Sequence, residues 1–127
     1  MTNIYSKLGS ILYIIWGVLH IIVASKVYAL GQSMDANILQ GRIFQDAWSL
    51  LFFAVFAIVV GLFFNWKNER LGYWLNLIVV SVADIGYIIF ILLPGYVPIM
   101  PGVIGPALWV LAVVFSTIGI RKQLNEV

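Results

Sequence analysis

The sequence predicts an all-α fold, a four-transmembrane-helix bundle with both termini cytoplasmic, forming a single transmembrane domain over residues 1–127. Three observations carry this. The chain is 63% hydrophobic and 9% charged with a mean hydropathy of +1.06, where a soluble domain averages about 45–50% apolar and about 25% charged residues. Four apolar stretches each approach the roughly 20 residues that a helix needs to cross about 30 Å of hydrocarbon. The basic residues fall unevenly about those stretches.

The stretches cover approximately residues 8–30, 47–66, 71–93 and 102–120. Unpaired backbone amides in lipid cost several kcal/mol, and the hydrophobicity is too continuous for the alternating strands of a barrel, so each stretch is expected to be a helix. Arg42 and its polar neighbours are expected to fill the first connection, and residues 65–70 a tight second one. The third, Pro94-Gly95-Tyr96-Val97-Pro98-Ile99-Met100-Pro101-Gly102, is an apolar proline-rich turn suited to the interface.

Lys7, Lys67, Arg70, Arg121 and Lys122 lie on one side of this arrangement and only Lys26 and Arg42 on the other. The excess of Lys and Arg in cytoplasmic segments then places both termini in the cytoplasm, in a multi-pass protein of the cell membrane. A signal peptide with a weak cleavage site at Val23-Ala24-Ser25 is the rival reading of the first stretch. Tyr5, Tyr28, Trp48, Trp66, Tyr73, Trp74 and Tyr96 fall near the proposed ends, as interfacial aromatic belts do.

Composition also excludes. Seven Lys and Arg against five Asp and Glu are too few to track nucleic-acid phosphates. With no cysteine there is no disulfide, thiol catalysis or thiolate metal site. One histidine and scattered carboxylates lack the paired-ligand spacing of a bundle metal centre, so no metal is expected. The glycines have no phosphate-loop spacing, and Gly9, Gly17, Gly61, Gly72, Gly86, Gly105 and Gly119 read as points of close helix approach.

Two ionisable residues fall inside spans, His20 and Asp84. A charge at the centre of a membrane helix costs about 2.5–3.5 kcal/mol on insertion scales, so each needs a partner or a purpose. Both lie near the midplane or slightly outside it. Residues three and four apart share a helix face, which groups Tyr73, Asn76, Val80, Asp84 and Tyr87 into one inward stripe. The same spacing groups Tyr13, Trp16, Gly17, His20 and Ala24 on the first helix, and Arg42, Gln45, Asp46 and Ser49 at the opening of the second.

The expectation is an outward-facing pocket with His20 and Asp84 as catalytic pair and Arg42, Gln45, Asp46, Asn76, Tyr87 and Trp109 as ligand contacts. The carboxylate would fix the imidazole tautomer so that the other ring nitrogen works on a substrate or carries a proton. Plainer readings stand beside this. His20 and Asp84 make an interhelical hydrogen bond, Arg42 and Asp46 a surface ion pair, Asn76 and Ser81 pack helices, and Ser116 and Thr117 satisfy their hydroxyls on their own helix.

The Trp16-Gly17-Val18-Leu19-His20 run, the length and the four spans resemble the small DoxX-like and uncharacterised four-helix bacterial membrane proteins. Glu69-Arg70-Leu71-Gly72, and Asp84-Ile85-Gly86-Tyr87 followed by Pro94, are similar to the third-helix region of styrene oxide isomerase. That family is a small four-helix membrane enzyme holding haem between subunits and using the iron as a Lewis acid. The resemblance implies a haem cofactor, but where the family has its axial histidine this chain has Arg42, Gln45 and Asp46, so the ligand would have to be His20.

Three functions follow as expectations. The first is binding or transformation of a small lipophilic ligand by acid–base chemistry, isomerase-like. The second is a proton-coupled transporter or channel, and the third a structural accessory subunit. The expected partners are the lipid bilayer, a small lipophilic ligand and further copies of the chain, since a bundle this small has little room for a cavity.

Overall fold

The computed structural model describes residues 2–127, and every described regular element is helical. Helix α1 (Ile4–Gln32) begins before the apolar stretch because Asn3 caps it: the Asn3 side chain accepts from Ser6 N at 2.9 Å while Ser6 Oγ accepts from Asn3 N at 3.1 Å. This reciprocal pair satisfies two amides that a helix start leaves unbonded. Helix α2 (Ile38–Val60) also starts early, at Asn37, whose side chain accepts from Leu39 N and Gln40 N.

The helix therefore begins well before the apolar stretch at residue 47: Arg42, expected to help fill the connection, stands on α2 together with Gln45 and Asp46, which were expected at its opening. Hydropathy marks where a helix enters hydrocarbon. A capped helix continues through polar residues beyond that depth. The ends of α1 and α2 consequently form a hairpin, closed by Gln40 Nε2 donating to Gly31 O and Met34 O and by Tyr28 against Phe44 at 5.0 Å.

After α2 the chain widens through a π turn, Gly61–Asn65, where Trp66 N bonds Gly61 O at 3.0 Å. The same Gly61 carbonyl accepts from Ser10 Oγ of α1 at 2.6 Å. Asn68, at φ 59, reverses the chain, and its side chain donates to Gly119 O and to Gln123 Oε1. Helix α3 (Arg70–Tyr87) follows and also ends in a π turn, Ile88–Leu92. A single turn, α4 (Ile99–Gly102), broken by extended backbone at Met100, leads into α5 (Ile104–Asn125).

Four helices are long and apolar enough to cross a membrane: Ile4–Gln32, Ile38–Asn65, Arg70–Leu92 and Ile104–Asn125. Helix α1 packs along α2 on one side and α5 on the other, while α3 closes the bundle against α2 and α5, diagonally across from α1. Glycines set the close approaches. A Cβ on Gly9 would collide with Ser116, one on Gly17 would stand 2.7 Å from Ala54 O, and one on Gly119 2.9 Å from Ser6 N. Gly86 differs from the expectation, because a Cβ there meets nothing within 4 Å. It lies on the outer side of α3.

Tyr13, Trp16, Ala57, Val80 and Ala112 form the core. The outside is apolar as well: Val18, Phe52, Phe63, Ile78, Val82, Phe90, Val110 and Val114 are all exposed. An apolar surface on every helix is stable when the surrounding solvent is hydrocarbon rather than water.

Candidate functional site

Trp16 and His20 stand one turn apart on α1, so their rings share a face and stack with centroids 3.8 Å apart and planes 21° from parallel. His20 Nδ1 lies 2.8 Å from the Trp16 carbonyl oxygen. A carbonyl only accepts, so Nδ1 carries the hydrogen. Opposite, on α3, Asp84 is 1% exposed. Its Oδ2 accepts from Trp16 Nε1 at 2.9 Å, while Oδ1 has no hydrogen-bond partner and lies 3.8 Å from His20 Nε2.

Those contacts fix the proton count. With Nδ1 protonated, a neutral imidazole turns a lone pair at Nε2 toward Oδ1, and two acceptors face each other. One further proton resolves the conflict, either on Asp84 as a neutral acid or on His20 as imidazolium beside a carboxylate. Both forms of the pair are net neutral. Losing that proton leaves a net negative charge among apolar side chains, which is costly without a compensating cation. At 3.8 Å the two atoms are slightly too far apart to bond, and a closure of about 1 Å makes the hydrogen bond. The first turn of α5 covers the ring: a Cβ on Gly105 would stand 3.3 Å from His20 Cε1.

The other residues expected in the pocket divide into three places. Tyr87 and Trp109 adjoin the pair's level, Tyr87 donating to Gly102 O at 2.9 Å and Trp109 Nε1 to Ser81 Oγ at 2.9 Å, three residues before Asp84. Asn76 is eight residues before Asp84, so about 12 Å toward the termini, where Nδ2 donates to Ala57 O and Asn65 Oδ1. Arg42, Gln45 and Asp46 are exposed on α2, where Arg42 donates to Gln45. Ala54 faces Gly17, so His20, three residues on along the antiparallel α1, stands near the level of Leu51, and Arg42 is nine residues beyond that, about 13–14 Å along the helix. The three do not join the buried pair.

Two features escaped the sequence reading. Helical spacing groups Trp16 with His20 on one face but gives it no partner, and it bonds Asp84. The signal was present, since Asp84 needs a donor and an indole N–H one turn from His20 is one that hydropathy ignores. Ser116 does not bond its own helix: its hydroxyl is buried and without a partner, while Thr117 Oγ1 pairs with Tyr73 OH at 3.1 Å.

His20 does not fit a haem iron. Nδ1 is committed to the Trp16 carbonyl, Nε2 faces Asp84, and the Gly105 backbone lies over the ring edge. Among the described residues no group of three His, Cys, Asp or Glu comes together. The fold defines a chain with four helices capable of spanning a bilayer and a buried histidine–carboxylate pair between two of them. Comparison with family models, with characterised proteins and with solved structures gives no match.

Proposed function

We propose that this protein is a multi-pass cell-membrane protein in which His20 and Asp84 take up and release one proton, in the service of proton-coupled transport. The single observation that carries the reading is the facing of Nε2 and Oδ1 at 3.8 Å with Nδ1 already protonated. A site that is neutral with one proton and net negative without it discharges that proton favourably only when another positive charge moves in. That is the elementary step of coupling. Both termini are placed in the cytoplasm, on the strength of Lys7, Lys67, Arg70, Arg121 and Lys122 gathering at their end.

Acid–base chemistry on a small lipophilic ligand is the second reading, favoured by the 12% exposure of the His20 side chain. It has less support, because the carboxylate faces Nε2 and the backbone holds Nδ1, so neither nitrogen is turned to a substrate. Proton flux into proteoliposomes under a potassium diffusion potential separates the two. Wild-type flux abolished in both His20→Ala and Asp84→Asn supports transport. Flux equal to that of protein-free vesicles, with a lipophilic molecule retained in native mass spectra of wild type and lost in His20→Ala, supports the ligand reading instead.

A further inference from the structure

Nearer the termini than Asp84, three buried side-chain oxygens on three different helices have no hydrogen-bond partner: Tyr13 OH on α1, Asn76 Oδ1 on α3 and Ser116 Oγ on α5. Their residues are 0%, 0% and 4% exposed. They converge on one layer. Long helical side chains lean toward the helix N-terminus, which tips the Tyr13 hydroxyl toward the level where Gly9 admits Ser116. Asn76 is tied to the same place, since Nδ2 donates to Asn65 Oδ1 and to the carbonyl of Ala57, which packs with Tyr13 in the core.

Ser116 and Asn65 also line a polar crevice with Ser6, Asn68, Glu69 and Tyr73, at the end of the bundle that carries the termini. Glu69 places a carboxylate beside it. One layer further in, the way is closed by Val80 and Ala112, both 0% exposed, packed with Trp16. On the far side of that layer Trp16 bonds Asp84.

We propose that this crevice and the layer of Tyr13, Asn76 and Ser116 form a water inlet that brings protons from the termini end to the His20–Asp84 pair, with Val80 and Ala112 as its dry barrier. The inference rests on the proton-transport reading. Water suits these groups because two hydroxyls and an amide oxygen need a partner that both donates and accepts, and a buried water makes two to four such bonds. The crevice as packed is narrower than a water molecule, so hydration accompanies movement of its polar side chains. Proton entry is therefore intermittent, as alternating access requires.

The chain has no cysteine, so single-cysteine variants report cleanly. In nanodiscs, Ser116→Cys is expected to react with silver ion at least about tenfold faster than Val80→Cys, the equivalent of ~1.4 kcal/mol of barrier. Val80→Cys is a reduction in size and Ser116→Cys exchanges oxygen for the larger sulfur at the Gly9 contact, so matching elution profiles are required to confirm folding. Equal rates at the two positions overturn the inlet whatever the flux assay says. In proteoliposomes, Ser116→Val and Asn76→Leu are each expected to lower wild-type proton flux about tenfold, by the same conversion. Undiminished flux in both rejects the inlet and leaves the pair's role standing. A wild type that conducts no protons removes the transport reading, and with it the proton-carrying role of the inlet.

Discussion

Nε1 of Trp16 donates to Oδ2 of Asp84 at 2.9 Å, across the diagonal of the bundle. The backbones of α1 and α3 scarcely approach each other, so this bond is a direct tie between helices that otherwise meet through α2 and α5. The same indole stacks on His20. Trp16 thus supports a carboxylate by hydrogen bonding and an imidazolium by its π face, favouring whichever form of the pair separates charge.

Trp16→Phe keeps the stacked ring and removes the donor. It leaves both oxygens of a 1% exposed carboxyl without a bond from Trp16, and the expected loss of stability is about 1–3 kcal/mol. Reversible unfolding in mixed micelles measures it. If the bond is the cause, Asp84→Leu costs less in the Trp16→Phe background than in wild type. Additive costs would show that the two side chains are not coupled.

The backbone acceptor at Nδ1 predicts which nitrogen of the single histidine is protonated. Nitrogen NMR of histidine-labelled protein is expected to show Nδ1–H throughout, with Nε2 alone changing as the pair gains or loses its proton. In Asp84→Asn the new amide can donate to Nε2, so the ring is expected to remain in the neutral Nδ1–H form over the accessible pH range. A neutral ring protonated at Nε2 in either protein contradicts the geometry.

Much of the fold and part of this site were legible in the sequence, for physical reasons that differ. The stripe of Asn76, Val80 and Asp84 on α3 was readable because a helix in lipid hides polar residues on one face, and all three are buried. Gly9, Gly17 and Gly119 were readable as close approaches because a helix contact in lipid selects small side chains. The start of α2 was not, since capping by Asn37 rather than hydropathy decides it. Arg42, Gln45 and Asp46 are exposed on that longer helix and do not reach the buried pair. The pairing of Trp16 with Asp84 depends on which helices are diagonal, which no periodicity within one helix contains.

Arg42→Ala and Asp46→Asn test that separation. Both side chains are exposed on the hairpin, and exposed charges contribute about 0–1 kcal/mol. Neither substitution is expected to change proton flux or the His20 resonance. A loss of flux in either, with the protein folded, would bring the hairpin back into the functional site and require that it fold over the mouth of the bundle.

Gly105 tests the geometry of the pair without touching either ionisable group. A methyl group there stands 3.3 Å from His20 Cε1 and 3.7 Å from Nε2, close enough that the ring must shift by a few tenths of an ångström. Gly105→Ala is expected to cost under about 1 kcal/mol, and Gly105→Val, with two more methyl groups against the ring, about 1–3 kcal/mol by overpacking. The decisive readout is not stability. The Nε2 to Oδ1 separation is already 3.8 Å, and a proton passes between these atoms only once they close to bonding distance. The shift therefore moves flux in one of two directions. A ring pressed toward Asp84 shortens the gap and raises the flux of Gly105→Ala, whereas a ring turned away lowers it, and the Nε2 resonance moves with the flux in each case. If flux and resonance both stay at their wild-type values while Gly105→Val destabilises the fold, the first turn of α5 packs on His20 without setting its distance to Asp84.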